Sequence, residues 1–459
     1  MAERASAPPH PPGPEPRVDE PDRHESSRQL RRVAVASCAG TTIEFYDFFI
    51  YGTAAALVFP TVFFPALGDS AATVASLATL GVAFVARPVG AVVCGHFGDR
   101  FGRKNTLVAT LLLMGVATVL IGLLPAAATI GVGAPIALTV LRFAQGVAVG
   151  GEWAGATLLA AEYAPPAKRG LYAIFPQLGP AIGLAMASAT FLAVDVAVGP
   201  SSPAFLDYGW RIPFLCSAAL LAVGLYVRLS VAETPAFRKL LAEREARGEA
   251  VPATVPLRAL MRAQWREVLL GGGLLTVLFA LFYVATAYMT AYGTSDAGPD
   301  LSKATVLGLG IVASAALAIT TVAAGILSDR YGRRRTILVG YALTVPGVVL
   351  LFAWVTGLSG VAFGAALAGM LGLYGIAYGP VGAYLPELFA IEYRYSGAGI
   401  AYNLGGILGG AIAPLVAAAL AAAHGPMAVG VLLAGLALLS LLSTAALRPA
   451  TAVAREQLS

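Results

Sequence analysis

Long apolar segments, separated by short polar or charged ones, follow one another along nearly the whole chain. A helix that crosses a lipid bilayer needs about 20 mostly apolar residues, and twelve segments of this sequence meet that requirement. The pattern therefore predicts an all-α polytopic membrane protein. We expect the spanning helices at 33–59, 73–97, 105–124, 134–161, 171–195, 211–230, 268–292, 302–327, 336–355, 360–384, 396–422 and 426–447.

Composition agrees with a membrane protein and argues against a soluble one. Hydrophobic residues make up 58% of the chain and charged residues 12%, whereas about a quarter of a soluble domain is charged. The three cysteines, Cys38, Cys94 and Cys216, lie in apolar segments and lack metal-ligand spacing. The sequence also contains no nucleotide-binding loop and no nucleophile elbow. We therefore expect neither an enzyme nor a metal protein.

The basic residues are distributed unevenly between alternate loops. If the N-terminus is placed inside, 26 of the 30 Lys and Arg residues fall in the inner tails and loops. This asymmetry is typical of membrane proteins, whose positively charged loops stay in the cytoplasm. We therefore expect a plasma-membrane protein with both termini in the cytoplasm. The net charge of +5 reflects this orientation and does not indicate a nucleic-acid partner.

The spans divide into two six-helix halves with a polar connector and polar ends. Residues 33–230 form the predicted N-terminal half and residues 268–447 the C-terminal half. Residues 1–32 are rich in proline and charge, so we expect a disordered cytoplasmic tail. Residues 231–267 carry mixed charge and are expected to combine a short amphipathic surface helix with loop, and 448–459 form a second cytoplasmic tail.

A charged motif occurs once in each half. One copy, GHFGDRFGRK, begins at Gly95, and the other, GILSDRYGRR, begins at Gly325, about half the chain later. A Glu-x6-Arg pair repeats in phase behind each copy. Glycines let helix ends turn tightly, and the Asp and Arg side chains can pair within the loop, with helix ends or with the second pair. Charges that only set topology are the alternative.

Charged loops at matching places in two halves favour a transporter whose halves rock against each other. Ion pairs at one rim of such a protein can form in one state and break in the other. The predicted cytoplasmic gate comprises Gly95, Asp99, Arg100, Gly102, Arg103, Glu162, Arg169, Gly325, Asp329, Arg330, Gly332, Arg333, Glu387 and Arg394.

The repeated loop resembles the signature of the major facilitator superfamily. Within it, the chain resembles the metabolite:proton symporter group, which holds proline/betaine, shikimate, α-ketoglutarate and citrate carriers. This resemblance implies the major facilitator fold, with twelve transmembrane helices in two pseudo-symmetric halves, and import of a metabolite together with protons. It extends over about residues 33–447, and the matching stretches are 44–52, 87–90, 145–153, 209–214, 233–237 and 394–397.

Glu44 and Asp47 form an acidic pair in the first span. They are three residues apart and so share a helix face, with Tyr51 one turn further on. A carboxylate near the bilayer midplane costs several kcal/mol unless it is paired, hydrated or protonated. The pair is therefore a candidate proton carrier, and a structural contact between helices is the alternative.

Arg142 lies within Arg-x-x-Gln-Gly, which resembles the superfamily's proton-transfer motif. It is a candidate counter-ion for Glu44 or Asp47, or a ligand for a substrate carboxylate, and a permanent pair with Glu152 or another acid is the alternative. Arg87 is a similar candidate, although Arg-Pro-x-Gly also shapes a helix. The predicted proton-coupling residues are Glu44, Asp47, Arg142 and Glu152.

Polar and aromatic side chains inside the spans are the candidates for a substrate cavity. Gln177 lies beside proline and glycine, which allow a bend where backbone groups can line a cavity. A tyrosine in a span is also common as a packing residue or an interface anchor. The predicted cavity comprises Tyr51, Arg87, Gln145, Gln177, Tyr283, Tyr288, Tyr374, Tyr378 and Asn403.

We expect a monomeric symporter that uses the proton gradient, needs no cofactor and imports a small carboxylate or a zwitterion. A drug:proton antiporter is one alternative, because Gly179-Pro180 resembles an antiporter motif, from which the chain departs at Leu184. A transceptor whose tail or central loop signals to a partner is another. A channel is less consistent with the repeat, and the substrate stays open.

Overall fold

The fold was analysed in a computed structural model of the chain. The structure describes residues 23–101, 103–150, 174–199, 202–230, 257–296, 298–355, 359–390 and 393–447.

Within these ranges the chain forms twelve long helices. The first six are α1 (Arg23–Leu57), α2 (Asp69–Phe101), α3 (Arg103–Leu123), α4 (Gly133–Gly150), α5 (Ile174–Val198) and α6 (Arg211–Ser230). The next four are α7 (Leu257–Tyr283, continued to Gly293), α8 (Lys303–Tyr331), α9 (Arg333–Val355) and α10 (Gly360–Glu387). The last two are α11 (Arg394–Gly405, continued to His424) and α12 (Met427–Ala446).

Ten of these helices are long and apolar enough to cross a membrane. The other two are α1, which carries Glu44 and Asp47, and α3, whose apolar part is the shorter segment Val108–Leu123. The predicted all-α fold with twelve long helices is confirmed. Glu44 and Asp47 lower the hydropathy of α1, and both belong to the site described below.

The two halves repeat one packing scheme. In the first half α1 packs against α5 and α6, α2 against α4, and α3 against α4 and α6. In the second half α7 packs against α11 and α12, α8 against α10, and α9 against α10 and α12. Adding six to each helix number converts one scheme into the other. The halves meet mainly where α5 lies against α8 and α2 against α11, and these two contacts are themselves equivalent.

Glycines bring α4 close to α2. A Cβ at Gly146 would overlap the backbone of Ala83, and one at Gly150 would overlap the backbone of Arg87. In the second half, Gly379 on α10 lies equally close to the backbone of α8. Small residues at four-residue spacing allow such close approach between helices in lipid. This packing fixes the position of Arg87, a site residue, relative to α4.

We expect Gly150→Ala to destabilise the protein by about 1–3 kcal/mol, because the added methyl group meets backbone that cannot move aside. The matched control is Gly435→Ala on α12, where a Cβ meets nothing within 4 Å, so the control gains up to about 1 kcal/mol in helix stability. Thermal unfolding of both variants in detergent measures the difference. Equal melting temperatures would contradict close packing at Gly150.

The ends of α1 and α7 extend beyond the predicted spans. α1 begins at Arg23, ahead of the predicted start at residue 33. α7 begins at Leu257, inside the predicted connector, and has a kink with non-helical φ and ψ at Gln264. The Gln264 side-chain oxygen accepts a hydrogen bond from the backbone N–H of Ala390 at 3.2 Å. The connector, both tails and the domain bounds stay predictions.

Candidate transport site

A small cavity lies between the halves, and its wall is mostly aromatic. Most of the wall comes from the second half, and five of the lining residues belong to α7. This helix is apolar on nearly all sides and is enclosed by its neighbours. Ring centroids lie 4.7 Å apart for Tyr374 and Tyr378 and 4.9 Å apart for Phe279 and Tyr402. The lining residues are Phe45, Leu275, Leu278, Phe279, Phe282, Tyr283, Tyr374, Tyr378 and Tyr402.

Both α7 and α11 change their helical geometry beside this cavity. Each contains a π-helical segment, Val284–Tyr288 in α7 and Gly406–Ile412 in α11. Such segments interrupt the regular hydrogen-bond pattern and are frequent at functional sites. In α11 the segment is rich in glycine, and a Cβ at Gly410 would overlap the ring of Phe84 on α2. The local sequence thus lets the two halves approach at mid-height.

Aromatic side chains of α1 meet those of α7 at the edge of the cavity. The rings of Phe48 and Tyr283 are 4.9 Å apart, and those of Phe49 and Phe282 are 5.2 Å apart. Phe45, one residue after Glu44, lines the cavity itself. The acidic pair predicted on α1 therefore lies next to the cavity wall.

Asp47 is buried inside the first half, with 2% of its surface exposed. Its carboxylate accepts hydrogen bonds from the hydroxyl groups of Thr118 on α3, at 3.0 Å, and Ser217 on α6. Glu44 is also buried and acts electrostatically on Asp47. The hydrogen-bond donors to this carboxylate are two neutral hydroxyl groups, which stabilise its charge less than a cation would.

Arg142 on α4 is joined to Asp47 through two other side chains. Its Nη1 donates to the Gln145 side-chain oxygen at 3.0 Å, and Gln145 Nε2 donates to the Thr118 hydroxyl at 2.8 Å. The guanidinium carbon lies 3.9 Å from the ring centroid of Tyr51 and 4.4 Å from that of Phe48. Only 1% of Arg142 is exposed, so its cation lies against two aromatic faces with almost no contact with solvent.

Arg87 on α2 is a second buried cation at the same level. Its guanidinium carbon lies 4.2 Å from the ring centroid of Phe84, and it interacts electrostatically with Tyr283 on α7. Nε and Nη1 of Arg87, like Nε and Nη2 of Arg142, have no hydrogen-bond partner among the described residues. Buried donors without partners are costly. They therefore mark a place where a ligand can supply acceptors.

The halves contact each other on both sides of the cavity. Toward the end of the bundle that holds Arg333, Gln177 Nε2 on α5 donates to the backbone carbonyl of Tyr378 on α10 at 3.0 Å. Toward the opposite end, Lys303 Nζ on α8 lies 4.7 Å from the ring centroid of Phe205, just before α6. Contacts between the halves are thus present on both sides of the cavity among the described residues.

The predicted cavity residues fall into four groups. Tyr283, Tyr374 and Tyr378 line the cavity, and Tyr51, Arg87 and Gln145 belong to the network of the first half. Gln177 bridges the halves. Tyr288 stacks on Tyr292, and Asn403 is buried beside Tyr402, so neither is among the lining residues.

Several residues of the predicted gate contact each other at the end that holds Arg333, and their role as a gate stays a prediction. Arg333 pairs with Glu387 on α10 and lies 3.8 Å from Asp329, and Arg330 lies over the ring of Tyr331 at 5.4 Å. Gly332 has φ +93° where α8 ends, a conformation that favours glycine. Gly325 contacts Ile174 of the other half. Gly102, Glu152, Glu162 and Arg169, and the side chains at positions 99, 100, 103 and 394, lie outside the described residues, and Gly95 lies within α2.

Sequence reasoning missed Thr118, Ser217 and Tyr402. The only signal for the first two was a hydroxyl group inside an apolar span, and many serines and threonines of this chain share that feature. Asn403 is the predicted cavity residue at this position of the helix, and the adjacent Tyr402 lines the cavity.

A family model described as "Sugar (and other) transporter" matches residues 33–455. The inner membrane metabolite transport protein YhjE of Escherichia coli (strain K12) is 44% identical over 93% of this chain and 96% of its own length. The shikimate transporter of the same organism is 36% identical over 86% of this chain and 89% of its own length. The crystal structure of a D-xylose-proton symporter superimposes with a TM-score of 0.72 at 18% identity, over 92% of this chain and 98% of that chain.

Proposed function

This chain belongs to the sugar (and other) transporter family of the major facilitator superfamily, and from that premise we propose that it imports a small carboxylate together with protons. It is a multi-pass membrane transporter of metabolites and not an enzyme. The shared family supports a cycle of alternating access, in which the site opens to one side of the membrane at a time.

The observation that carries the proposal is a cluster of four buried charges in the first half. Glu44 and Asp47 supply two negative charges and Arg87 and Arg142 two positive ones, so the cluster is formally neutral. A net charge inside the membrane is expensive. A bound proton leaves the cluster with one excess positive charge, and a bound carboxylate monoanion restores neutrality. Proton and substrate therefore favour each other's binding.

Asp47 is the proposed proton site. Its direct neighbours are hydroxyl groups, which can accept a hydrogen bond from a protonated carboxyl as well as donate one to a carboxylate. It can therefore gain or lose a proton without leaving a buried group unpaired. Glu44 lies nearer the aromatic wall and is the second candidate.

Arg87 and Arg142 are the proposed ligands of the substrate carboxylate. Both retain guanidinium donors without partners, and a guanidinium can bind a carboxylate through two parallel hydrogen bonds. The aromatic wall of the second half would cover the remaining, less polar part of the substrate. A zwitterion would also place its carboxylate at these arginines.

Opening requires that the contacts on one side of the cavity break. On the proposed cytoplasmic side these are Gln177 with Tyr378 and the ion pairs of Arg333. On the proposed outer side Lys303 leaves Phe205. We propose this orientation, with both termini in the cytoplasm, from the uneven distribution of basic residues. One chain supplies both walls of the cavity, which supports a monomer as the functional unit.

Uptake into proteoliposomes tests the proposal. Purified protein is reconstituted, an inward proton gradient is imposed, and labelled shikimate, α-ketoglutarate, citrate, proline or betaine is added outside. We expect one of the acids to accumulate, and a monocarboxylate by about tenfold for each unit of pH difference. For a monocarboxylate, a potassium diffusion potential should add nothing, because the loaded site is neutral. Uptake that follows the potential and ignores the pH gradient would contradict the proposal.

A further inference from the structure

We propose that Thr118 is a positioning residue that transmits the charge state of Asp47 to Arg142 through Gln145. The inference rests on the proposed function, because it requires a proton site whose state is transmitted. It adds a residue on α3, a helix that carries none of the four buried charges, and a route by which proton binding changes the substrate ligand Arg142.

The Thr118 hydroxyl has three neighbours and one hydrogen. Its oxygen lies 3.0 Å from Asp47 Oδ2, 2.9 Å from the backbone carbonyl of Met114 and 2.8 Å from Gln145 Nε2. Gln145 donates to it, so one lone pair is used. The hydrogen of Thr118 then goes either to Asp47 or to the carbonyl of Met114, and the two hydrogen bonds exclude each other.

The charge on Asp47 selects between these two positions. A carboxylate is the stronger acceptor, so charged Asp47 takes the hydrogen of Thr118. When Asp47 carries a proton on Oδ2, it donates to Thr118 instead, and the hydroxyl turns to the carbonyl of Met114. Every polar group in the chain from Asp47 to Gln145 keeps a partner in both states.

The rotation of this hydroxyl changes the hold on Arg142. A hydroxyl that donates to a carboxylate becomes a better acceptor for Gln145, since hydrogen bonds in a chain strengthen one another. When Asp47 is charged, Gln145 Nε2 is therefore held firmly by Thr118, and Gln145 Oε1 stays in place to accept from Arg142 Nη1. A hydroxyl that already accepts from protonated Asp47 holds Gln145 less firmly. Protonation therefore releases Arg142 for a substrate carboxylate.

Among the described residues, the hydrogen bonds of Ser217 and Tyr46 do not lead from Asp47 to a cation. Ser217 donates to Asp47 from α6, and its neighbour Cys216 is exposed. Tyr46 donates to the backbone carbonyl of Pro213. The charged or titratable side chain that acts on Asp47 is Glu44, and Cys216 acts on the adjacent Tyr46. Arg142 is reached through Thr118 and Gln145, and Arg87 and Glu44 both act on Tyr283.

Thr118→Val tests the proposal, because valine keeps the shape of threonine and lacks the hydroxyl. The probe is the acid that the wild-type protein accumulates among shikimate, α-ketoglutarate and citrate. We expect proton-driven accumulation to fall at least about tenfold, while exchange of labelled for unlabelled substrate falls less than about threefold. The alkaline limb of the uptake profile should move to higher pH, because the charged carboxylate has lost a donor. Thr118→Ser should restore both accumulation and the profile.

Thr344→Val is the matched control. Thr344 is buried on α9 and donates to the carbonyl four residues earlier at 2.8 Å, as Thr118 does, and this hydrogen bond joins no site residue. It should keep wild-type coupling. If Thr118→Val does not fold, Gln145→Met breaks the next link and should give the same loss of accumulation.

An unchanged profile and full accumulation in Thr118→Val would overturn the proposal, as would equal loss of accumulation and exchange. If the wild-type protein accumulates none of the acids under a proton gradient, the proposed function fails first. If the wild-type protein accumulates one of them and the variant matches it, only the role of Thr118 fails.

Discussion

Asp47→Asn abolishes proton-driven accumulation and leaves exchange of substrate across the membrane. The amide has the size of the acid and can still accept from Ser217 or Thr118, but it carries no titratable proton. The site is then permanently in the state that binds substrate. Labelled substrate should equilibrate to equal concentrations inside and outside, whereas the wild-type protein concentrates a monocarboxylate about tenfold for each unit of pH difference.

Asp195→Asn provides the control for this change. Asp195 is also a buried acid of the first half, on α5, and it lies outside the charge cluster. The control should accumulate substrate as the wild-type protein does. Concentration of substrate by Asp47→Asn at the wild-type level would show that Asp47 is not the coupling site, and Glu44 would be the next acid to replace.

Arg142→Gln abolishes accumulation and exchange together. The substitution removes one of two buried cations, so Glu44 and Asp47 lose half of their compensating charge. Truncating one partner of a buried, hydrogen-bonded charge pair costs about 2–5 kcal/mol of binding free energy, which corresponds to a loss of at least about thirtyfold in substrate binding. Binding of the transported acid, measured by calorimetry in detergent, and exchange in proteoliposomes report the two effects.

Two further variants separate charge from structure. Arg142→Lys keeps the charge but lacks the planar group that lies over Tyr51 and Phe48, so we expect weakened binding with measurable exchange. Arg211→Gln removes an arginine that donates to the carbonyls of Gly122 and Leu124 at the end of α3. It should lower thermal stability and retain coupled transport. Exchange by Arg142→Gln at the wild-type rate would contradict a role in binding.

The helices and their pairing into halves could be predicted from sequence because the bilayer imposes a length on each apolar segment. The motif copies at Gly95 and Gly325 also placed equivalent loops in the two halves, and the packing scheme repeats accordingly. The burial of Glu44, Asp47, Arg87 and Arg142 followed from their positions inside apolar spans. These features depend on local sequence and on the depth of a residue in the membrane.

The hydrogen-bond network could not be predicted, because it depends on how four helices rotate about their axes. Thr118 and Ser217 reach Asp47 only because α3 and α6 turn these hydroxyl groups toward α1. For the same reason the sequence leaves open whether Arg142 pairs with an acid or binds substrate, and the structure places Gln145 and Thr118 between it and Asp47. The sequence likewise does not show that Gln177, a predicted cavity residue, bridges α5 and α10.

Proton flow on addition of substrate tests the central claim most directly. Proteoliposomes that contain the purified protein and a pH-sensitive dye in the lumen receive each candidate acid or zwitterion outside, without an imposed gradient. We predict that one carboxylate acidifies the lumen with the wild-type protein and not with Asp47→Asn. Alkalinisation would indicate antiport, and no pH change with any compound, in protein shown to be folded, would contradict proton coupling through this site.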